Sequence, residues 1–283
     1  MTVPGAVKPV LRVPVRAVVE HVLRSGDLDS DSAGPARLDE AVRAHREIQD
    51  SRPPGYRKEV PVSVTREEPD FVLALGGRID GLREGPDGIL IEEIKTTTTP
   101  LEEIERETQE VHWAQARFYA YMYTAGSGFS KVRIRLTYCH LETRRTSELE
   151  QDFGLEELQN FFEETLARYL EWLTVVVRWR RIRDRSFIEL PFPYPETRPG
   201  QLTLAEAVYV AIRDKGRLLV QAPTGIGKTM AVVFPAAQAL ARGLAGRIFY
   251  LVSVYKWTFF RAAFREKSRV GGCLGRKAGR LYL

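Results

Sequence analysis

The sequence predicts an α/β protein with a mixed sheet, followed by the beginning of a second, parallel sheet. Three strand-like runs lie between helical patterns within residues 1–186. After residue 200, a glycine-rich loop joins a buried apolar run to a helical pattern, as in a βαβ unit. Four prolines among residues 187–200 exclude a helix there and mark a boundary. We therefore expect domains at 1–186 and 201–252, a linker at 187–200, and an atypical basic tail at 253–283.

The first domain is expected to begin with helices and to continue with strands. Residues 12–25 and 37–50 have helical apolar spacing. The strand patterns that follow are EVPVSVTRE from Glu59, and FVLALGGRID and ILIEEIK on either side of a Gly/Pro/Asp turn. A helix near 101–125, an alternating strand from Lys131 with a hairpin partner, and a long helix over about 154–182 complete the domain.

The second domain is expected to alternate helices with buried strands. LTLAEAVYVAIRDKG is a helical pattern that stops at a glycine, and RLLVQAP reads as a buried strand. GKTMAVVFPAAQALARG predicts a helix interrupted at Pro235, and GRIFYLVSV predicts another buried strand. These elements favour a partial parallel sheet.

Composition excludes several classes of protein. No run approaches the roughly 18 apolar residues of a membrane span, and no signal peptide is visible, so a cytoplasmic location is expected. Cys139 and Cys273 alone cannot form a disulfide framework or an iron–sulfur cluster within one chain.

Positive charge is concentrated late in the sequence. The net charge is +5, and residues 230–283 alone carry +9, which leaves −4 for the rest. A second basic run is a candidate for phosphate contacts, with Trp179 inside it and the arginines Arg178, Arg180, Arg181, Arg183 and Arg185. The alternative is a solvated helix end that the helix dipole favours.

Two carboxylates and a lysine are expected to meet where two apolar strands pair. Glu93 and Lys95, two apart on one strand, share a face, and the turn REGPDG brings that face beside Asp80. Two carboxylates can hold a divalent metal, and an adjacent ammonium can orient a water for attack on a phosphodiester. The alternative is that Asp80 belongs to a turn and EEIK to a solvated strand face.

These residues resemble the motif of the PD-(D/E)XK nuclease superfamily, and further matches resemble its RecB-like branch. The resemblance covers roughly residues 35–145 and implies that Asp80, Glu93 and the Ile94 carbonyl hold Mg²⁺ or Mn²⁺, while Lys95 positions water. WAQARFYAYMY matches the helical Gln and Tyr of that branch with Gln115 and Tyr119, four apart on one face. His45 would be a further metal ligand, or else a plain surface histidine.

A phosphate-binding loop is predicted between the first apolar run and the helix of the second domain. APTGIGKT matches the Walker A pattern with Ala222 in place of the first glycine. Backbone N–H groups from Thr224 through Gly225, Ile226 and Gly227 to Lys228 could cradle phosphates, and Thr229 could ligate magnesium. Glu266, the one acid after Thr229, follows no apolar strand and is rejected as the Walker B acid.

The second segment resembles the start of DinG/XPD-like superfamily 2 helicases, which have RecA-like parallel sheets. Arg198 and Gln201 in RPGQ resemble the adenine-recognising element of that family, although they could also form a linker turn that caps the next helix. The further motor motifs and the cysteine-bound iron–sulfur insertion are missing, and the tail is basic and weakly periodic. We therefore hypothesise truncation or a frameshift near residue 252.

Three functions compete. The leading hypothesis is a metal-dependent nuclease for single-stranded or branched DNA, fused to the ATP-binding start of a DNA helicase and acting in repair or recombination. The second is a catalytically idle nuclease fold that docks the motor on DNA. The third is a regulatory nucleotide-binding protein that uses Lys228 and Thr229 without turnover. The oligomeric state is left open.

Overall fold

The structure is a computed structural model that describes residues 8–23, 35–85, 88–104, 106–126 and 129–251, without the side chains of 35, 36 and 106–108. It contains six strands and six α-helices in these ranges. The strands are β1 (Val10–Pro14), β2 (Tyr56–Glu67), β3 (Val72–Gly85), β4 (Gly88–Thr97), β5 (Lys131–His140) and β6 (Thr146–Gly154). The helices are α1 (Val15–Leu23), α2 (Pro35–Ser51), α3 (Arg106–Thr124), α4 (Leu155–Ile188), α5 (Gln201–Arg213) and α6 (Lys228–Ala241).

All six strands form one mixed sheet, and five of them, β2 to β6, match the strands that the sequence patterns predict. Its order is β1-β3-β4-β5-β6, with β2 on the other edge of β3. The β1–β3 and β4–β5 pairs are parallel, and the β2–β3, β3–β4 and β5–β6 pairs are antiparallel. The mixed α/β architecture expected for the first domain is confirmed.

Strand β3 has two successive partners along one edge, and this creates a fork in the sheet. β2 covers the opposite edge of β3 from Val72 to Arg83. On the fork side, β1 pairs with β3 as far as Gly76, and β4 pairs with it from Gly81 onward. Residues 77–80 therefore lie where neither β1 nor β4 is in register with β3, and Asp80 is among them.

Helices α2 and α3 contact residues on opposite faces of β4. Side chains alternate along a strand, so Glu92 and Ile94 point to one face and Glu93 and Lys95 to the other. Ile94 packs in a buried cluster with Ala44 and Ile48 of α2 and with Cys139 and Leu141. On the other face, Gln115 of α3 hydrogen-bonds with Glu93 and Lys95. These two helices thus enclose the strand that carries the predicted motif.

The first predicted helix needs a correction, because residues 10–14 form β1 and α1 begins only at Val15. Val13 precedes a proline, which disfavours the helical backbone at that position, and β1 gains a partner in β3. Parallel pairing of this kind depends on residues more than 50 positions away, and the local apolar spacing does not reveal it. Among the described helices, none is long and apolar enough to cross a membrane.

The chain divides into two compact units, one up to Val176 and the other from Val177 onward. In the second unit, α5 and α6 pack on each other, and the Phe192 ring lies 5.2 Å from that of Phe234. Gln238 of α6 donates a hydrogen bond to the carbonyl of Phe187 at 2.5 Å. Helix α6 runs through Pro235.

The partial parallel sheet expected in the second domain does not form in the described residues. Residues 217–223 and 247–251 have no strand conformation, and Leu219 and Leu251 are 101% and 91% exposed. A strand needs neighbours for its N–H and C=O groups, and the described part of this unit offers no paired strand. The prediction of two buried strands is therefore wrong for these ranges, and the predicted tail lies outside the described residues.

Candidate active site

Asp80 occupies the fork between β1 and β4. Its Oδ2 accepts a hydrogen bond from the backbone N–H of Ile94 at 2.7 Å. The carboxylate thus satisfies an amide of β4 next to the point where the β3–β4 ladder stops. The Asp80 side chain is 17% exposed, so an acid at this central position keeps access to solvent.

Glu93, Lys95, Gln115 and Tyr119 form a connected group on the α3 face of β4. The Lys95 Nζ lies 2.6 Å from Glu93 Oε1 and donates to Gln115 Oε1 at 3.1 Å. The Gln115 Nε2 donates to Glu93 Oε1 at 2.8 Å and to the Tyr119 hydroxyl at 3.2 Å. Because the amide oxygen meets the ammonium and the amide nitrogen meets the carboxylate, Gln115 orients both charged groups.

Glu93 is buried, with 2% exposure, and its two oxygens differ. Oε1 accepts the bonds just described, whereas Oε2 is buried with no hydrogen-bond partner among the described residues. Burial raises the pKa of Glu93 to about 7, although the positive charge of Lys95 acts in the opposite direction. A buried carboxylate oxygen without a partner is costly, which favours a site whose ligand completes it.

Helix α2 reaches the same fork through His45 and Gln49. The His45 Nε2 lies 3.3 Å from Asp80 Oδ2, and this hydrogen bond raises the pKa of His45, partly offset by burial. Gln49 is buried and donates to the Asp80 carbonyl at 2.8 Å and to Glu59 Oε1 at 3.1 Å. The histidine is therefore next to the acid of the predicted motif rather than on plain surface.

Glu59 is a neighbour that the sequence patterns missed. Suitable oxygen and nitrogen atoms of His45, Glu59 and Asp80 all lie within 4.8 Å of one another. Glu59 has φ = 51°, a left-handed conformation that is uncommon outside glycine, and it interrupts the alternation of β2 opposite Asp80. In the sequence Glu59 is one acid in an alternating strand, so no local signal marks it.

The residue types fit a hard divalent cation. Asp80 and Glu59 supply carboxylate oxygens and His45 an imidazole nitrogen within the 4.8 Å group, and Glu93, which is not a member of that group, adds a nearby carboxylate whose charge interacts with Asp80 and His45. Such donors suit Mg²⁺ or Mn²⁺. The unpartnered Glu93 Oε2 indicates where the protein alone leaves the site incomplete. The Ile94 amide is the group that contacts Asp80, and the metal-binding role of the Ile94 carbonyl stays a prediction.

Tyr119 is fixed in place by the backbone of β3. A Cβ added at Gly77 would lie 2.6 Å from the Tyr119 Cε1 and hydroxyl oxygen, so the ring contacts the strand closely and only a glycine fits. Tyr119 and Gln115 are 5% and 7% exposed. Both side chains are thus walls of the site and not open surface.

A second buried carboxylate, Glu92, anchors α2 to the other face of β4, opposite the face that carries Glu93 and Lys95. Glu92 is 0% exposed and accepts hydrogen bonds from Arg52 Nε at 3.1 Å and from the Tyr56 hydroxyl at 2.7 Å. Arg52 Nη2 and the Thr137 hydroxyl also donate to it. Arg52 follows α2 directly, so this network holds the end of the helix that carries His45 and Gln49.

The predicted phosphate loop and RPGQ element are brought together in the second unit. Gln201 accepts from the Arg198 N–H at 3.1 Å and donates to the Gly227 carbonyl at 3.1 Å, while the Arg198 guanidinium donates to the Gly225 carbonyl. Lys228 begins α6 and donates to the carbonyls of Ala222 and Pro223 at 3.0 and 2.8 Å. The loop thus precedes a helix as expected, without the sheet.

The other loop residues differ in exposure. Thr224 is exposed, Ile226 is half-buried, and the Thr229 hydroxyl lies 3.3 Å from that of Tyr250. These contacts all lie within the protein, and nucleotide binding by this loop stays a prediction.

Parts of the chain are similar to known proteins. Over 52 residues it is 40% identical to the protein named "Probable ATP-dependent helicase MJ0942" of Methanocaldococcus jannaschii, a match that spans 18% of this chain and 8% of that protein. A crystal structure of SSO0001 aligns over 58% of this chain and 79% of its own, with 16% identity and a TM-score of 0.38. Rai1 of Scheffersomyces stipitis aligns over 46% and 33%, with 18% identity and a TM-score of 0.20. Neither structural likeness is close enough to contribute to the assignment.

The family model described as the PD-(D/E)XK nuclease superfamily matches residues 9–193, which contain the whole sheet, both enclosing helices and the Asp80–Glu93–Lys95 group. Members of this superfamily are nucleases that use divalent metal ions. The chain belongs to the PD-(D/E)XK nuclease superfamily.

Proposed function

We propose that this chain is a metal-dependent DNA nuclease that acts at the fork between β1 and β4. The observation that carries the proposal is the connected group of Glu93, Lys95 and Gln115 beside Asp80, with one buried Glu93 oxygen left for a ligand. A purely structural ion pair would satisfy both carboxylate oxygens within the protein. An incomplete, buried carboxylate next to a second acid is instead suited to a cation.

Asp80 and Glu93 would hold Mg²⁺ or Mn²⁺, with His45 and the Ile94 carbonyl as further ligands and Glu59 close enough to join them. Such a cation lowers the pKa of bound water and offsets negative charge on a phosphodiester. Gln49 supports this role, because it fixes Glu59 and the Asp80 backbone in one orientation. The left-handed backbone at Glu59 also agrees with a functional position, because backbone strain of this kind is concentrated at the functional sites of proteins.

Lys95 would orient the attacking water. Its ammonium contacts Glu93 and Gln115, and the Lys95 side chain is 19% exposed, so the side chain is held by two partners and keeps access to solvent. Gln115 and Tyr119 are buried and would position Lys95 and Glu93 instead of contacting the DNA strand directly. Asp80 and Glu93 would thus be metal ligands, and Lys95 would position the water. Gln115 and Tyr119 would hold Glu93 and Lys95 in place.

The test is cleavage of single-stranded and branched DNA in Mn²⁺ and Mg²⁺. Lys95→Ala is expected to lower the cleavage rate by at least about 100-fold, within the range for losing a positioned proton-transfer group. Lys131→Ala, which removes an exposed lysine at the start of β5, serves as the matched control and should cleave at the wild-type rate. Equal cleavage rates for wild type and Lys95→Ala would show that this site does not catalyse the cleavage.

The competing function is a catalytically idle fold that docks a motor on DNA. It predicts DNA binding that survives chelation of metal, with no cleavage in any divalent cation. The buried, unpartnered Glu93 oxygen favours the catalytic alternative, because an idle docking surface has no need for a buried charge.

A second proposal concerns the end of the chain, which would form the ATP-binding start of a DinG/XPD-like DNA helicase with a role in DNA repair or recombination. The 52-residue similarity to a helicase-named protein supports it, as does the contact of Arg198 and Gln201 with the loop before α6. Thr224, Gly225, Ile226, Gly227, Lys228 and Thr229 would hold the phosphates, and Arg198 and Gln201 the adenine.

Titration with a fluorescent ATP analogue tests this proposal. Binding that Lys228→Ala abolishes and Lys215→Ala preserves would support it, and the absence of any binding would remove both the helicase role and the regulatory nucleotide-binding role from this chain. Lys215 is the matched control because it is an exposed lysine just after α5, outside the loop.

A further inference from the structure

His112 and Tyr138 form a hydrogen-bonded pair next to Lys95. Tyr138 is the Cα partner of Lys95 in the parallel β4–β5 pairing, so the two side chains lie on the same face of the sheet. His112 precedes Gln115 by three residues on α3, so it shares a helical face with the residue that contacts Lys95. Its Nδ1 lies 2.9 Å from the Tyr138 hydroxyl oxygen. Neither metal binding nor the positioning of water by Lys95 requires this pair.

The Tyr138 hydroxyl determines which imidazole nitrogen carries the hydrogen. Tyr138 is 2% exposed, and its one hydrogen-bond partner among the described residues is His112. Burial raises the pKa of Tyr138, so the hydroxyl keeps its hydrogen. A buried O–H group that donates to no acceptor is costly, so this hydroxyl donates to Nδ1 of His112. In a neutral imidazole whose Nδ1 accepts, the hydrogen is on Nε2.

The imidazole of His112 is neutral as well as oriented. Burial lowers the pKa of His112 to about 3, and the positive charges of Lys95 and of Arg16 on α1 act in the same direction. The side chain is half-buried, and its Nε2 has no hydrogen-bond partner among the described residues. The ring is therefore held at one nitrogen and keeps a donor at the other, in a place that two nearby cations make positive.

We propose that His112 contacts the substrate of the nuclease site, with its Nε2–H donating to a phosphate oxygen of the DNA strand, and that Tyr138 is a positioning residue. The inference rests on the proposed nuclease function and deepens it. A phosphodiester is the negatively charged group of DNA, so the positive surroundings of the ring favour it. A neutral donor suits this place, because a third cation would be repelled by Lys95 and Arg16 before the strand binds.

The alternative is that His112 and Tyr138 only pack α3 against β5, since their ring centres are 5.7 Å apart. Packing requires the two rings but no hydrogen on Nε2, whereas a phosphate contact requires a donor at that position. A glutamine side chain places an amide N–H group near the position of Nε2, and a phenylalanine keeps a ring without a donor. Substitution of His112 by each of these residues therefore separates the two roles.

Nitrogen-15 NMR of the full chain, labelled at histidine, tests the hydrogen position and the DNA contact without cleavage. The His112 signals, identified as those that His112→Gln removes, should show a protonated Nε2 and an unprotonated Nδ1 at neutral pH. In EDTA, a single-stranded oligothymidine of about 20 nucleotides should shift the Nε2 signal. The signals of His21, which stacks on Trp172 of α4, should stay unchanged. A protonated Nδ1, or no shift of Nε2 at saturating oligothymidine, would overturn the proposal.

Cleavage kinetics in Mn²⁺ measure what the donor contributes. His112→Phe is expected to lower kcat/KM about tenfold, as the loss of one hydrogen bond does, and His112→Gln should retain most of the wild-type value. Tyr138→Phe leaves the imidazole in place without its orienting hydroxyl, so a smaller loss of about threefold is expected. His21→Gln is the matched control and should cleave as wild type.

Two further measurements distinguish the phosphate contact from packing. The Tm increase that Mn²⁺ produces should be the same in wild type and His112→Phe, because this substitution removes none of the proposed metal ligands. Circular dichroism monitors the fold of each variant. Equal losses of kcat/KM in His112→Phe and His112→Gln would reduce the pair to a packing role and overturn the inference.

The NMR result is independent of the nuclease test. If oligothymidine shifts the His112 signal in EDTA but wild-type protein does not cleave DNA in Mn²⁺, the DNA contact stands and the nuclease proposal falls. If cleavage depends on Lys95 but the His112 signal does not move, the nuclease proposal stands and the contact falls.

Discussion

Glu93 links the chemistry of the site to pH. Burial raises its pKa from the ordinary 4.5 to about 7, so the protonated form is favoured below about pH 7 in the metal-free fold. A raised pKa contributes stability that is complete below about pH 4.5 and is lost as pH rises through 7. The pKa of His45 is also raised, by its hydrogen bond to Asp80, and it acts with the same sign.

A cation that needs the Glu93 carboxylate must compete with this proton. We therefore expect the Tm increase that Mn²⁺ produces to be small at pH 5.5, to grow toward pH 7.5 and then to level off. The apparent Mn²⁺ affinity should rise by up to about tenfold per pH unit for each proton that the cation displaces, from Glu93 and from His45 where the imidazole also binds. Thermal denaturation with and without Mn²⁺ at several pH values between 5.5 and 7.5 measures this Tm increase. Glu93→Gln should remove both the stabilisation and its pH dependence, and a Tm increase that is flat with pH would contradict this account.

Gly77 controls the position of Tyr119. An added Cβ would come within 2.6 Å of the tyrosine ring, which is buried and cannot swing into solvent. Gly77→Ala should destabilise the fold by about 1–3 kcal/mol, as overpacking does, and should lower the cleavage rate by moving Tyr119 away from Gln115. Urea denaturation and cleavage assays measure the two effects. Gly85→Ala, where the added Cβ has nothing within 4 Å, is the matched control and should leave cleavage unchanged.

Local spacing was sufficient to predict which residues of the site lie together on one strand or helix. Glu93 and Lys95 are two apart on β4, and Gln115 and Tyr119 are four apart on α3, so regular geometry alone places each pair on one face. Glu59 and Gln49 could not be predicted in this way. Their proximity depends on an irregular residue in β2 and on where α2 docks, both of which are set by contacts distant in sequence.

Among the elements, α2 depends on the Glu92 network for its position. Arg52, immediately after the helix, is 14% exposed in its side chain and pairs with the fully buried Glu92. Removing one partner of a buried pair leaves an uncompensated charge, at a cost of about 3–5 kcal/mol. Because α2 carries His45 and Gln49, its displacement should also weaken the metal site.

Arg52→Ala should therefore lower both the free energy of unfolding and the Mn²⁺ affinity, which denaturation and calorimetric titration measure separately. Arg57→Ala breaks an exposed ion pair with Glu84 and is the matched control, with an expected cost below about 1 kcal/mol and unchanged Mn²⁺ affinity. If Arg52→Ala destabilises the protein but binds Mn²⁺ normally, the network supports the core and not the position of α2.

The elements that sequence patterns predicted poorly are those whose partners are far away. The β3–β4 hairpin and the β5–β6 hairpin follow from alternation and turn residues, and both are confirmed. Strand β1 was missed because its five residues acquire a strand conformation only by parallel pairing with β3. In the opposite case, the apolar residues 218–220 have strand propensity but no paired neighbour among the described residues, and they stay exposed.

At the scale of the whole molecule, the proposed nuclease site belongs entirely to the unit that ends at Val176. Residues 214–223 of the other unit are largely exposed and have neither helix nor strand, and they include Lys215 and Arg217. A protease requires an exposed, locally extended segment, so limited trypsin digestion of the full chain should cut after Lys215 or Arg217 early, before any site between β2 and β6. Mass spectrometry of the fragments identifies the cut, and Lys215→Gln/Arg217→Gln should abolish it.

Nuclease activity should survive this cleavage, because His45, Asp80, Glu93, Lys95 and Gln115 all lie on the sheet and its two enclosing helices. The digest, assayed with single-stranded DNA and Mn²⁺, is expected to keep most of the rate of undigested protein at the same concentration. The double variant, treated with trypsin for the same time, provides the uncut comparison. Loss of activity in step with the 215–217 cut would mean that the second unit supplies part of the active site. Early cuts inside β2 to β6 would mean that the sheet is not the stable core inferred from its burial.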